Sequence, residues 1–193
     1  MLILVRHGQS TYNVDKKFSG ALNVPLTPLG REQAVEAGKS LENTPIDVMF
    51  ASKLDRSKDT AWAIIAEQKK APNWVFMDEG ALNERSYGLI DGLTLSEARS
   101  KFPPKKYKQW DRDYFEAPPM GESYSDVSDR LIPFYTARIL PWLKSGNTVC
   151  VVCHATVMRV LIGYLNHLDE AEVMNMNIEN AIPYELSLST LGI

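Results

Sequence analysis

The sequence predicts an α/β fold, a single-domain three-layer sandwich in which helices cover both faces of a mostly parallel central sheet. Short apolar runs alternate along the chain with longer segments of helical periodicity, which is the pattern of repeated strand–helix units. The runs at residues 2–5 and 149–153 contain only apolar residues, as expected of strands buried on both faces of a sheet. With 193 residues, of which 45% are hydrophobic, the chain can bury a sizeable core. We therefore predict one domain over residues 1–193.

Five short segments have the length and residue types of strands. They lie at residues 2–5, 47–51, 74–77, 149–153 and 182–188. A helix is predicted to begin at Thr27 and Pro28, because these residue types are preferred at the N-cap and at the first helical position. Residues 10–25 are polar and turn-rich, and they predict a loop.

The second half of the chain contains an irregular insertion and a long helix. Residues 92–122 include four prolines and predict a mixture of helix and loop. The helix that follows carries Pro133 and Pro141, and each proline removes an amide donor and so kinks or interrupts a helix. A further, apolar helix is predicted from Val157 to Leu165.

Charge and hydropathy argue against several classes of partner. The net charge of −3 gives no support to binding of nucleic acid or a membrane surface. No apolar run reaches transmembrane length, and the N-terminal run is too short for a signal peptide, so we expect a cytoplasmic protein. Cys150 and Cys153 have the spacing of a metal or redox pair. On a strand they would point to opposite faces, and no metal site is expected there.

Two histidines directly follow the two most apolar strands. Arg6 and His7 end the first strand, and His154 follows residues 149–153. Ligands bind at the carboxyl ends of parallel strands, so these groups are expected at one edge of the sheet, where they suit an anion. A single histidine would more simply be structural, but the repetition favours a functional pair. Arg56 lies in the first turn of a helix, where a cation opposes the helix dipole unless an anion binds there.

These side chains can transfer a phosphoryl group without a metal. A neutral imidazole can attack phosphorus and form a phosphohistidine, and nearby arginines keep it neutral. Arg6, Arg56 and His154 can stabilise the charge on the phosphoryl oxygens, a role that metal ions have in many kinases. The sequence contains no P-loop or zinc motif. We therefore expect no metal or nucleotide cofactor.

Three motifs resemble those of the histidine phosphatase superfamily and, within it, the cofactor-dependent phosphoglycerate mutases. They are residues 4–10 with Asn13, residues 52–61, and residues 82–88, and the likeness extends over nearly the whole chain. The resemblance implies that His7 is the phosphorylated nucleophile and that Arg6, Arg56 and His154 bind the phosphoryl group. It also implies that Glu84 donates and accepts the proton, although an isolated Glu–Arg pair is usually a solvated ion pair. The substrate-binding residues that it implies are Ser10, Asn13, Ser19, Gly20, Arg85, Tyr87, Arg112, Ala155 and Thr156.

The chain also departs from the mutase pattern. Leu95 and Asp111 stand where the mutases have cations that hold the substrate, and Ala155 and Thr156 replace a glycine and an asparagine after the second histidine. The resemblance implies a small anionic phosphorylated substrate and 2,3-bisphosphoglycerate as the phosphorylating cofactor, and it is compatible with a homodimer.

Three functions stay open at this stage. The form of residues 83–88 favours a mutase that interconverts 3-phosphoglycerate and 2-phosphoglycerate. Leu95, Asp111 and the short, uncharged tail of residues 189–193 favour a phosphatase acting on a small phosphomonoester. The residues after His154 leave open a non-catalytic, protein-binding relative. Because cations are missing, we expect any mutase activity to be weak and accompanied by hydrolysis.

Overall fold

The structure, a computed structural model, describes residues 1–187 except for the side chains of Met77, Asp78, Lys108, Asp111 and Arg112. Its strands are β1 (Leu2–Arg6), β2 (Val48–Ser52), β3 (Trp74–Glu79), β4 (Val149–Cys153) and β5 (Pro183–Leu186). Its α-helices are α1 (Thr11–Val14), α2 (Pro28–Ser40), α3 (Asp55–Glu67), α4 (Leu95–Lys101), α5 (Pro104–Arg112), α6 (Tyr124–Phe134), α7 (Leu140–Lys144), α8 (Ala155–Asn166) and α9 (Glu170–Asn175). Short 3₁₀ turns cover Gly80–Leu82 and Gly88–Ile90, and a π-helical turn covers Tyr135–Ile139.

The central sheet has the strand order β3-β2-β4-β1-β5. All neighbouring strands are parallel except β5, which runs antiparallel to β1. The register places Arg6 on β1 opposite Cys153 on β4, so the residues that follow, His7 and His154, leave the sheet side by side. This confirms the predicted fold class and explains why the two histidines meet.

Helices cover both faces of the sheet. One face packs against α6, α7 and α8, with Leu4 and Cys153 in that core, and the other packs against α2 and α3, with Ile3 and Cys150. Successive side chains on a strand point to opposite faces, which separates the two cysteines, as the sequence predicts. Both are buried, free thiols.

The predicted long helix is continuous in space but changes its winding. Ser123 caps α6 with a capping box to Asp126, and Pro133 lies inside the helix. The π-helical turn joins α6 to α7, whose first turn contains Pro141. Each proline lacks an amide donor, and the wider turn lies between them, where regular pairing is interrupted.

One predicted loop contains more structure than expected. Residues 10–25, predicted as a loop, include α1, because Ser10 and Asn13 form a capping box there. Residues 92–122 include α4 and α5, in agreement with the predicted mixture of helix and loop. The last strand ends at Leu186, and the tail of residues 189–193 lies outside the described residues. None of the described helices is both long and apolar enough to cross a membrane.

Candidate active site

His7 is buried directly after β1, with a side chain that the backbone fixes. Its amide donates to the carbonyl of Cys153 on β4 at 3.0 Å. Its Nδ1 lies 2.7 Å from the carbonyl oxygen of Gly8. Because a carbonyl oxygen can only accept, Nδ1 carries the proton and Nε2 keeps its lone pair. The nitrogen suited to nucleophilic attack is therefore the one facing Arg56, whose Nε lies 3.3 Å from it.

His154 lies beside His7, with the ring centroids 5.0 Å apart. Its Nε2 is 2.7 Å from Oγ of Ser52, a buried residue at the end of β2. This hydroxyl also accepts the amide of Leu54. With Oγ accepting this amide, its hydrogen can be directed at Nε2, and the His154 proton then sits on Nδ1. Among the described residues, Nδ1 of His154 is buried without a hydrogen-bond partner, so its N–H is available to donate to a bound anion.

Burial and neighbouring cations keep both imidazoles neutral. Burial, and then the charges of Arg56 and Arg6, lower the pKa of His7 well below 6.5. Burial, and then the charge of Arg56, lower the pKa of His154 in the same way. Burial lowers the pKa of Arg56 only to about 10, so this guanidinium stays charged at neutral pH. The site thus combines a neutral nucleophile with fixed positive charge.

Arg56 connects the histidine to the loop that closes over it. Its NH1 and NH2 donate to the carbonyls of Leu22 and Gly20 at 2.7 and 2.9 Å. Gly20 has a φ of +45°, and a Cβ there would lie 1.8 Å from Oδ1 of Asp91, so any other residue would strain the backbone and displace Asp91. Backbone carbonyls therefore accept hydrogen bonds from two of the three donor groups of Arg56. They offset part of the unfavourable interaction between this cation and the dipole of its helix.

A cavity of about 240 Å³ opens in front of these groups. It is lined by Arg6, His7, Asn13, Lys17, Phe18, Ser19, Gly20, Arg56, Glu84, Tyr87, Ala155, Thr156 and Arg159. Ala155 and Thr156 are the first two residues of α8, and the amides of a helix's first turn have no acceptor within the helix. The cavity therefore combines guanidinium groups with a helix N-terminus, an arrangement that favours a phosphoryl group.

Glu84 enters the cavity from the segment after β3. Its Oε1 accepts the amide of Arg85 at 2.8 Å, which fixes the carboxylate close to its own backbone. The segment is held from behind by Arg130, which donates to the carbonyl of Asn83 at 2.8 Å. Arg130 is in turn paired with Glu122 at 2.8 Å. The carboxylate is thus held on a braced loop rather than on a free one.

The structure gathers most of the residues that the resemblance names. Ten of them line the cavity, and His154 does not line it but packs against His7, which does. Ser10 does not line it: its hydroxyl accepts the amide of Asn13 and caps α1, so its contribution there is to the shape of the loop. Arg85 faces a second, adjoining cavity. The side chain of Arg112 lies outside the described part of the structure.

Several contributors are absent from the sequence prediction. Lys17 and Arg159 line the cavity and add positive charge, Ser52 orients His154, and Asn180 donates to the carbonyl of His7 at 2.8 Å. Arg159 carries a usable signal, because it is a lone cation within the apolar run 157–162 of α8. The others are polar residues at loops and strand ends, where local sequence does not separate binding from solvation.

Comparisons with known proteins agree with this geometry. The model of the histidine phosphatase superfamily (branch 1) matches residues 2–190. The chain is 36% identical over 183 residues to 2,3-bisphosphoglycerate-dependent phosphoglycerate mutase 2 of Gloeobacter violaceus, over 95% of this chain and 83% of that protein. It is also 36% identical over 208 residues to the 2,3-bisphosphoglycerate-dependent phosphoglycerate mutase of Chlamydia pneumoniae, over 95% and 91% of the two chains.

Solved structures of similar fold include phosphatases. A mycobacterial glucosyl-3-phosphoglycerate phosphatase in complex with VO3 superposes with a TM-score of 0.81 at 28% identity, covering 94% of this chain and 88% of that one. A structure titled mycobacterial hydrolase 1 superposes with a TM-score of 0.83, also at 28% identity, covering 94% and 86%.

Proposed function

The chain belongs to the histidine phosphatase superfamily, and from that premise we propose that it transfers phosphoryl groups through a phosphohistidine on His7, as a phosphoglycerate mutase. The single observation that carries this proposal is the state of His7. Its Nδ1–H donates to the Gly8 carbonyl, and its Nε2 lone pair faces the guanidinium of Arg56. A neutral, fixed imidazole of this kind is a nucleophile for phosphorus.

The first chemical step follows from the cavity. Nε2 of His7 forms a bond to phosphorus while the bond from phosphorus to the substrate oxygen breaks. Glu84 gives its proton to the departing oxygen. Arg6, Arg56 and the Nδ1–H of His154 stabilise the negative charge on the three remaining oxygens.

The second step reverses these roles. Glu84 takes a proton from the attacking hydroxyl group, and the phosphoryl group moves from Nε2 to that oxygen. When the attacking hydroxyl belongs to phosphoglycerate, the product is a bisphosphoglycerate and the enzyme acts as a mutase. When it belongs to water, the product is inorganic phosphate and the enzyme acts as a phosphatase.

Relatives at 36% identity named as phosphoglycerate mutases support 3-phosphoglycerate and 2-phosphoglycerate as the substrates. They also support 2,3-bisphosphoglycerate as the compound that first phosphorylates His7. Lys17 and Arg159 add positive charge to the cavity, which offsets part of the deficit that Leu95 and Asp111 create. A cytoplasmic location, a single domain over the whole chain and a homodimer remain predictions.

Phosphatase activity is the second candidate, and one observation favours it. Leu95, at the first turn of α4, leaves an apolar, 39% exposed side chain where the mutases have a cation. Its neighbour Thr94 pairs with Lys17, so the substitution lies close to the mouth of the cavity. A substrate held with fewer cations leaves before it reorients, and water then attacks the phosphohistidine.

One assay separates the two activities. Isomerisation of 3-phosphoglycerate is measured with and without 2,3-bisphosphoglycerate, and phosphate release is measured in the same samples. We expect isomerisation that depends on the bisphosphate, with measurable hydrolysis. Phosphate release without isomerisation would establish the phosphatase instead.

The nucleophile is tested by labelling. A labelled phosphodonor should give an acid-labile, base-stable adduct that is absent from His7→Ala. His154→Ala serves as the matched control, since it removes the neighbouring imidazole and leaves His7 in place. Label that persists in His7→Ala would contradict the proposal.

A further inference from the structure

A second cavity adjoins the catalytic one and is about three times larger, about 730 Å³ against about 240 Å³. Phe18, Tyr87 and Arg159 line both cavities, so they lie at the boundary between the two. We call the larger cavity the side chamber. Its far wall is formed by α5 and α9. A three-carbon acid that places its phosphoryl group against His7 would leave most of this volume unfilled, whereas cavities of this size enclose drug-sized ligands.

Arg85 provides a buried cation in the side chamber. It is 5% exposed, and its Nε and NH1 have no hydrogen-bond partner among the described residues. The guanidinium lies between the rings of Tyr87 and Tyr124, with centroid distances of 4.6 and 4.8 Å. Two tyrosine rings can hold the guanidinium in place, but they cannot accept its hydrogen bonds as a carboxylate does. This arrangement is suited to an anionic group of a ligand.

Among the other residues that line the side chamber, three are aromatic and two, Arg159 and Asn175, are polar. The aromatic residues are Tyr107 and Trp110 on α5 and Phe18 at the boundary, and Met174 on α9 also lines the chamber. The rings are fixed by their neighbours, as the edge-on contact of Trp110 with Phe102 at 5.2 Å illustrates. Fixed aromatic faces bind planar groups by stacking and by edge contacts.

We propose that the side chamber binds the alcohol part of a second class of substrate, in which this part is a planar ring carrying a carboxylate. The phosphoryl group then lies at His7, the ring passes Phe18 into the side chamber, and the carboxylate pairs with Arg85. This inference rests on the proposed phosphoryl transfer, and it extends the substrate class from three-carbon acids to ring-bearing phosphomonoesters.

The test uses phosphonates, because they cannot transfer a phosphoryl group and so report binding even if no reaction occurs. Dissociation constants are measured by calorimetry for methylphosphonate, benzylphosphonate and the 3- and 4-carboxybenzylphosphonates. We expect the ring to tighten binding roughly tenfold and one of the two carboxylates to tighten it by about tenfold more.

Two variants locate the gain. Arg85→Met should remove the gain from the carboxylate and keep that from the ring. Ala171→Trp, on the exposed side of α9, should fill the side chamber and remove the gain from the ring while methylphosphonate binds as before. Ala66→Trp on α3 is the matched control, since it adds the same side chain at an exposed helical position away from both cavities.

Equal dissociation constants for all the phosphonates would overturn the inference, as would a ring gain that survives Ala171→Trp. Neither result would touch the proposed function, which is judged by phosphohistidine formation on His7. Conversely, loss of the phosphohistidine with an intact phosphonate series would reject the proposed chemistry and keep the side chamber as a binding site. Because Ala171→Trp alters an exposed position, it keeps the test valid if Arg85→Met fails to fold.

Discussion

The catalytic cavity and the side chamber differ in how their charged groups are held. In the catalytic cavity, the sheet and its loops fix the reactive side chains: His7 bonds to Gly8, Arg56 to two loop carbonyls and His154 to Ser52. In the side chamber, Arg85 is held between two rings, and two of its donors have no partner within the described part of the chain. The hydrogen bonds of the catalytic cavity hold its side chains in place for one reaction. The side chamber is suited to a ligand that places a negative charge against Arg85.

We infer from this difference that the catalytic cavity carries out the reaction and that the side chamber determines which substrates are preferred. Groups of the catalytic cavity should affect all alkyl phosphomonoesters alike, because these substrates present the same phosphoryl group and a leaving oxygen of similar basicity. Groups on the insertion and on α9 should change the ranking of substrates, because they contact the part that varies. The following variants test that separation, from the largest expected effect to the smallest.

Replacing Glu84 gives the largest expected effect. Glu84→Gln removes the proton donor and should slow transfer from an alkyl phosphate by about 10²–10⁴-fold, whereas an aryl phosphate, whose oxygen departs without help, should lose little. Single-turnover formation of the phosphohistidine measures both. Glu122→Gln is the matched control, because it weakens the brace behind the loop and should slow both substrates equally. Equal losses in Glu84→Gln as well would assign Glu84 to positioning.

Restoring the cations that Leu95 and Asp111 replace should change only the balance between isomerisation and hydrolysis. Leu95→Lys combined with Asp111→Arg should raise the ratio of isomerisation to hydrolysis by tens of fold, since each charge-assisted hydrogen bond contributes about 1.5–3 kcal/mol. Leu29→Lys on α2 adds the same charge at another exposed leucine and should leave the ratio unchanged. If the natural chain already isomerises without phosphate release, Lys17 and Arg159 supply enough charge and this prediction is wrong.

Removing the partner of His154 should have a smaller effect on every substrate. In Ser52→Ala the imidazole loses the hydroxyl that holds its proton on Nδ1, and we expect kcat to fall about tenfold. The loss should be the same for benzyl phosphate and for phosphoglycerate. In a His154→Ala background, the same change should have no further effect. A fall in kcat that differs between benzyl phosphate and phosphoglycerate would contradict the proposed division of roles between the catalytic cavity and the side chamber.

The smallest expected effect is that of pH. Because burial lowers the pKa of His7 and of His154, neither should gain a proton as the pH falls through 6.5, where an ordinary imidazole becomes half charged. Phosphohistidine formation should therefore stay constant through this range and decline only at lower pH. NMR titration of the two imidazoles measures this directly. Titration of His7 at pH 6.5 would show that its surroundings do not keep it neutral.

Sequence patterns located the groups at strand ends because that information is local. A buried strand is an apolar run, and the residue that follows it lies at the edge of the sheet whatever the rest of the chain does. Arg6, His7 and His154 were identified in this way, and the parallel register of β1 and β4 brought them together. The resemblance to a known family added Glu84 and the loop residues, which no local pattern marks.

The sequence by itself determined the fold class, the chemistry of the catalytic cavity and the family. Tertiary packing decided the rest, because it depends on which distant groups share a space. Only the tertiary structure shows that Ser10 caps α1 and that Ser52 forms a hydrogen bond with His154. It also shows that Arg159, on the apolar helix α8, lines the cavity. Within the described residues it also leaves Nε and NH1 of Arg85 buried without an acceptor, which the sequence cannot show because it does not tell whether a partner lies within hydrogen-bond distance.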